Sequence, residues 1–357
     1  MNLRRFLSVL LLALFPAALP AADVDDLYVG EAVVADQSAE ARETGLREAL
    51  GRVLVRVTGD PGILRRDEAE AMLARASAWV QRYGYETAET AATSDDVPET
   101  TLRARFDGNA VARALREAGL PVWGRERPRT LVLLLVEGEA DIVPARADDL
   151  LADMRAAAER RGIPLVFPER GGSERRQLRA ADLRYGDLSA VNDVAQRYGA
   201  SHILVGRLER VGGAWRGEWT LNRRGETVSE WSDSAGGRDA LLAAAAGRLA
   251  DSYARRFAVY GGAAADTVVT VAVDGVDAVA AYARIDRYLR GLTAVQTVNP
   301  VLVDREAVVF RVQISGEPDV LARSIELAGW LTQDELARNL AGLYAAGGNA
   351  LGYRLGS

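Results

Sequence analysis

The chain of 357 residues contains no cysteine, no lysine and a single histidine, His202. Each absence removes a class of chemistry. Without cysteine there is no disulfide, no thiolate nucleophile and no cysteine-based zinc site. Without lysine there is no Schiff base and no phosphate-loop lysine, and one imidazole cannot build a histidine-rich metal site. All 44 basic residues are therefore arginines. Genome composition produces such a set as readily as selection does, so nothing functional is drawn from it. Hydroxyl, phenol, guanidinium and carboxylate chemistry remain, and neither a cofactor nor a metal is expected.

Long apolar runs are also scarce. One, over 6–15, follows Arg4 and Arg5 and precedes a small-residue stretch ending at Ala22. This is the pattern of a secretory signal peptide over 1–22, with cleavage near Ala21 or Ala22. At about ten residues the run is short for a bilayer, and the apolar segment 131–136 is only strand-length, so no stable membrane span is expected after cleavage. No lipobox cysteine is present, so a lipid anchor is not expected either. The chain carries a net charge of −6 and would lose two arginines with its signal. That makes it a poor partner for nucleic acid, whose phosphates demand a basic surface. The expectation is a periplasmic protein exported by the Sec route.

What is present, at 49% hydrophobic residues, is enough for sizeable cores. The expected fold class is α/β and α+β, in three small mixed modules over 23–124, 125–260 and 261–357. In the first, an extended segment over 27–35 precedes a helix whose Leu46, Ala49, Leu50, Val53, Leu54 and Val57 form one stripe, stopped at Gly59-Asp60-Pro61-Gly62. Its other side carries Glu43 with Arg47 and Glu48 with Arg52 at i,i+4. Arg47, Arg52 and Arg56 could grip an anion, but a solvated face laced by ion pairs is the commoner use of that spacing. A second helix is predicted over 67–83, with Trp79 and Tyr83 in the core. Paired strands over 85–90 and 101–106 then flank Asp95 and Asp96, whose loop lacks calcium-site spacing, and a helix over 110–117 closes the module.

A joint lies at Leu120-Pro121-Val122-Trp123-Gly124 and continues through Arg127-Pro128, where prolines and a glycine break any periodic pattern. Leu27-Tyr28, Asp36-Gln37-Ser38, the run from Val53 to Gly59, and Pro121-Val122-Trp123-Gly124 with Arg127-Pro128 resemble the exported proteobacterial family catalogued as domain of unknown function twenty sixty-six. The resemblance implies export and supplies no catalytic or binding residues.

The second module opens with a strand over 131–136 apolar on both faces. A helix over 147–161, a strand over 163–167, a helix from 187 or 189 to 198, a meander of three strands from His202 to Trp231 and a helix over 238–256 follow. Its order and its Tyr-Gly-Ala-Ser-His-Ile-Leu-Val-Gly-Arg strand are similar to amino-terminal domains of the TolB type, which implies partner docking. Trp215 and Trp219 share one strand face with Gly217 and could stack a sugar or peptide; packing under the 238–256 helix is the commoner fate of such a face. Arg170, Arg175 and Arg176, interleaved with acids, read first as a mixed-charge loop and are the best local candidates for an anionic contact. His202 lacks a second ligand or base nearby and reads as structural or solvent-facing. In the third module, strand 267–273, helix 277–292, strands 295–303 and 307–314, a helix from 318 and a strand at 351–355 suggest a ferredoxin-like βαββαβ. Thr332 and Glu335 mark a further helix.

No catalytic residue is assigned. The leading expectation is a non-catalytic periplasmic protein-interaction or assembly factor with an envelope protein partner. A periplasmic glycan-binding protein or a carboxylate-dependent hydrolase is the alternative.

Overall fold

The computed structural model describes residues 27–87, 99–139, 142–169, 171–185, 189–260, 267–345 and 348–356. Asp95, Asp96 and Arg170 lie outside them. After β1 (Val29–Val34), the Ser38 hydroxyl accepts the Ala41 N–H and opens α1 (Ala39–Thr58). Gly59, left-handed at φ 69°, closes it with its N–H on the Val55 carbonyl. The expected stripe from Leu46 to Val57 is buried. β1 lies unusually close beneath it, because a Cβ on Gly30 would sit 2.1 Å from the Ala49 carbonyl oxygen.

The helix expected over 67–83 is shorter. It ends as α2 (Asp67–Leu73), passes through a 3-10 turn at Ala76–Trp79 and becomes β2 (Val80–Thr87). Tyr83 is consequently a strand residue, 48% exposed, while Trp79 packs at the core margin. β3 (Thr100–Phe106) follows, then α3 (Gly108–Glu117), whose first turn is capped by Asp107. The sheet runs β1-β3-β2, antiparallel throughout.

A short β4 (Pro121–Val122) leads to β5 (Thr130–Val136), α4 (Asp148–Arg160), β6 (Leu165–Val166), α5 (Gly172–Gln177), α6 (Ala180–Tyr185) and α7 (Ser189–Arg197). β7 (His202–Val211), β8 (Ala214–Arg223) and β9 (Glu226–Ala235) form the meander, before α8 (Arg238–Phe257) and β10 (Val259–Tyr260). The second sheet is β6-β5-β7-β8-β9, with β5 parallel to both neighbours and the meander antiparallel. Every residue of β5 is buried, as its two-faced apolar pattern requires. Leu131, Leu133 and Leu135 face the side of α6 and α7, while Val132, Leu134 and Val136 face α4 and α8.

The third sheet is built from β11 (Thr267–Asp274), α9 (Val279–Gly291), β12 (Val295–Val303), β13 (Ala307–Ile314), α10 (Pro318–Glu326), β14 (Leu331–Gln333), α11 (Glu335–Tyr344) and β15 (Ala350–Leu355). Its order, β12-β13-β11-β15-β14, contains the ferredoxin-like arrangement of four strands. One departure is built in. The added β14 and α11 turn the chain round once more, so β15 runs parallel to β11. The helix foreseen from Thr332 and Glu335 starts at Asp334, whose carboxylate accepts the Ala337 N–H at 2.9 Å; Thr332 itself lies in β14.

Three sets of contacts join the sheets. β4 pairs with β10. Arg223 on β8 is ion-paired with Glu326 on α10, and Arg323 donates to the Arg256 carbonyl at 3.0 Å. The third set centres on Arg127, which is fully buried. It donates to the carbonyls of Gly124 (2.6 Å), Trp123 (2.6 Å), Arg56 (2.9 Å) and Arg161 (3.4 Å), and its guanidinium lies 3.6 Å from the Trp123 ring centroid. Arg161 in turn donates to the Gly59 carbonyl and to Asp251 on α8, both at 2.6 Å. Beside it, Glu126 accepts the Thr293 hydroxyl at 2.9 Å, reaching the third sheet. Burial pushes the Arg127 pKa down to about 9, which still leaves a cation at neutral pH. Truncating Arg127→Ala strands four carbonyls and is expected to cost about 3–5 kcal/mol. Arg127→Lys should recover little, since an ammonium cannot span that fork. Denaturant midpoints of the two variants check both statements.

Candidate functional site

Trp219 is 1% exposed. Its ring stacks on Trp231 of β9 at 6.3 Å and 19°, and packs over Gly206 and Gly217, where a Cβ would come within 2.3 and 2.7 Å of the indole. α8 closes over this face. Trp215 is half-buried beneath the Arg238 guanidinium, 5.7 Å from its ring centroid. The geometry is therefore that of the packing alternative, with the Trp219 faces already occupied. Arg175 and Arg176 fall in α5, Arg176 exposed. The stretch expected as a charged loop folds into α5 and α6 because Leu178, Ala180 and Leu183 bury against β5 and β7. Their spacing was the overlooked signal.

His202 is buried rather than solvent-facing. Its Nδ1 lies 3.0 Å from the Ser201 hydroxyl, and its ring meets the edge of Tyr253 at 5.2 Å. Tyr253 in turn shares a 2.7 Å hydrogen bond with Thr130. Burial, reinforced by Arg223 and Arg256, pushes the imidazole down to about 3. It is thus a neutral structural group at physiological pH. An unfolded histidine takes up a proton near pH 6.5, which the folded one refuses until about pH 3. Its contribution is complete above 6.5 and is lost as pH falls through that window. Between pH 7 and pH 4 this amounts to about 3 kcal/mol. His202→Gln is expected to flatten that part of the stability profile, measured by denaturant midpoints against pH.

A cleft of about 1100 Å³ lies between α1, the edge of β1 and α4, lined by Arg47, Arg52, Arg56 and Arg160 over an apolar floor that includes Leu64 and Leu73. The α1 arginines are engaged. Arg52 pairs with Glu48 at 2.5 Å, Arg47 reaches Glu70 of α2 at 3.5 Å where spacing had pointed to Glu43, and Arg56 donates to the Val29 carbonyl at 2.9 Å. This is a laced surface more than an anion trap.

The third sheet presents the opposite case. α11 turns its alanines inward, Ala337 and Ala341 packing on Ala272 and Val309 with Leu340 and Tyr344 at the margin of the same cluster, and turns Leu336 and Leu343 outward. Leu336 is 72% and Leu343 82% exposed, with Leu340 and Tyr344 half-buried between and beside them. Close approach explains the inversion. A Cβ on Gly352 of β15 would fall 1.8 Å from the Arg338 backbone nitrogen, so only small residues fit on the inner face. Leu336 and Leu343, seven residues apart, then share an apolar strip on the outer face, bordered by half-buried Leu340. The sequence reading did not single it out.

Comparison with known proteins gives one family match: Domain of unknown function (DUF8605), over residues 21–124. This corrects the resemblance to family twenty sixty-six. The short segments behind it, such as Val57-Thr58-Gly59, are what a helix ending on a left-handed glycine produces in many families. The match covers less than a third of the chain. No curated protein matches. Among solved structures, lipoprotein GNA1162 from Neisseria meningitidis is 15% identical, covering 36% of this chain and 99% of its own, with a TM-score of 0.24. The LpoB C-terminal domain from Salmonella enterica is 16% identical, covering 36% and 93%, at 0.21. At such scores neither bears on fold or function. The family match carries no TolB-type likeness either, and that likeness is withdrawn with the resemblance to family twenty sixty-six. Among the described residues, no helix is long and apolar enough to cross a membrane.

Proposed function

We propose that this protein is an exported envelope factor that works by docking a protein partner, without catalysis, and that the outward stripe of α11 is the contact. The observation that carries the reading is the pair Leu336 and Leu343, 72% and 82% exposed at a seven-residue interval. Two large aliphatic side chains left in water on one helix face lose several kcal/mol of available burial, about 2 kcal/mol each. The fold does not need them there, since Ala337 and Ala341 already seat the helix. The occupant that fits is an apolar helix of another protein, laid along Leu336 and Leu343. Export rests on the charged and apolar N-terminal pattern of residues 1–22. The glycan alternative loses its platform, because the Trp219 faces are spent on Trp231 and two glycines.

A photo-crosslinking residue at position 343 of the full chain, expressed in cells, is expected to capture a defined envelope protein that the same residue at exposed Glu230 does not. That protein, purified, should bind the wild type directly and bind Leu336→Asp/Leu343→Asp about a hundredfold more weakly, while the unfolding midpoint of the variant stays unchanged. Equal capture from both positions, or equal affinity for the variant, would overturn the reading.

A further inference from the structure

The boundary between the first and third sheets holds a second cleft, of about 550 Å³, with a different character from the laced one beside α1. Tyr28 forms part of its wall, its ring laid flat against Gly108, where a Cβ would come within 2.7 Å of the ring carbons. Around it stand Arg105 from β3, Arg116 from α3, Arg125 from the joint and Arg290 from α9. The wall contains one carboxylate, Asp107, and it is committed to capping α3 through the Asn109 and Ala110 N–H groups. Arg290 is likewise committed, to Asp286 at 2.8 Å and the Val298 carbonyl at 2.7 Å. Nearby Glu126 is held by Thr293.

Among the described residues, the guanidiniums of Arg116 and Arg125 have no hydrogen-bond or ion-pair partner, and both project their charge onto the Tyr28 phenol. Arg116 is half-buried. These two guanidiniums, Arg125 exposed, stand on a wall whose one carboxylate is already committed to a helix cap, and leave the cleft locally positive in a chain of net charge −6. Like charges gathered on one concave wall repel one another until something negative joins them. Guanidinium forks match oxyanions bidentately, and Val122, Leu292 and Val295 supply apolar wall for a small organic body.

We infer that this cleft binds a small anionic solute, setting a phosphate or carboxylate group between Arg116 and Arg125 with its body against Tyr28. This goes beyond partner docking and does not depend on it. The site would also clamp the joint between the first and third sheets, since its walls come from both.

The test is isothermal titration of the full mature chain at low ionic strength with two probes, inorganic pyrophosphate and citrate, which separate phosphate from carboxylate recognition. Saturable one-to-one binding of either probe is expected, weakening with added salt. It should fall about tenfold or more in Arg116→Ala/Arg125→Ala and persist in Arg113→Ala, an exposed arginine of the same helix. Circular dichroism and the ligand-free unfolding midpoint establish that the double variant is folded. Failure of both probes to saturate, or equal binding by the double variant, overturns the inference.

Discussion

A guanidinium sealed from water among backbone carbonyls is the constraint on which the arrangement of the sheets depends. Arg127 spends its donors on Gly124 and Trp123 of its own joint, on Arg56 near the end of α1, and on Arg161 just past α4. Withdrawing such a cation from water is costly, and the cost is offset only while all these oxygens stay in place. Moving α1 relative to α4 would expose or orphan the charge. Arg161 repeats the device one step away, joining the Gly59 carbonyl to Asp251. The C-terminal end of α1, with its partial negative charge, is thus met by two cations from the segment that follows.

Local features of the chain were readable and non-local ones were not. β12 and β13 coincide with the strands read from alternation, and the α1 stripe is buried throughout. The misreading at 67–83 has a geometric origin, because Met72, Ala76 and Trp79 keep helical and 3-10 spacing through a turn that then opens into β2. β14, at three residues, carries too little pattern to show. Arg127-Pro128 reads as a linker that interrupts structure, yet it is the lock, since its acceptors come from residues 56 and 161, and sequence spacing cannot register that.

The α11 stripe was illegible for a sharper reason. A sequence argument would bury Leu336, Leu340 and Leu343 and leave the alanines outside. The steric demand that reverses this comes from Gly352, on a strand that passes directly beneath the helix. Small residues are placed inside by a glycine in another element, and Leu336 and Leu343 are released to the surface. Their exposure is a consequence of how tightly β15 and α11 meet, which is a property of the folded sheet and not of the helix.

The arginines bring these points together. With no lysine in the chain, much of the fixing of loop and helix-end carbonyls falls to guanidinium groups: Arg56 on Val29, Arg129 on Tyr198, Arg155 on Ala145, Arg207 on Leu183, Arg290 on Val298 and Arg323 on Arg256. A planar fork can hold a carboxylate with one nitrogen and a carbonyl with another, as Arg290 does, while Arg161 serves a carbonyl and a carboxylate from its Nη2 alone. Arg116 and Arg125, whose guanidiniums have no hydrogen-bond or ion-pair partner among the described residues, stand where the first and third sheets face each other across a cleft. The same economy that makes Arg127 a structural lock makes an uncommitted pair at that boundary the natural place for an anion from outside the chain.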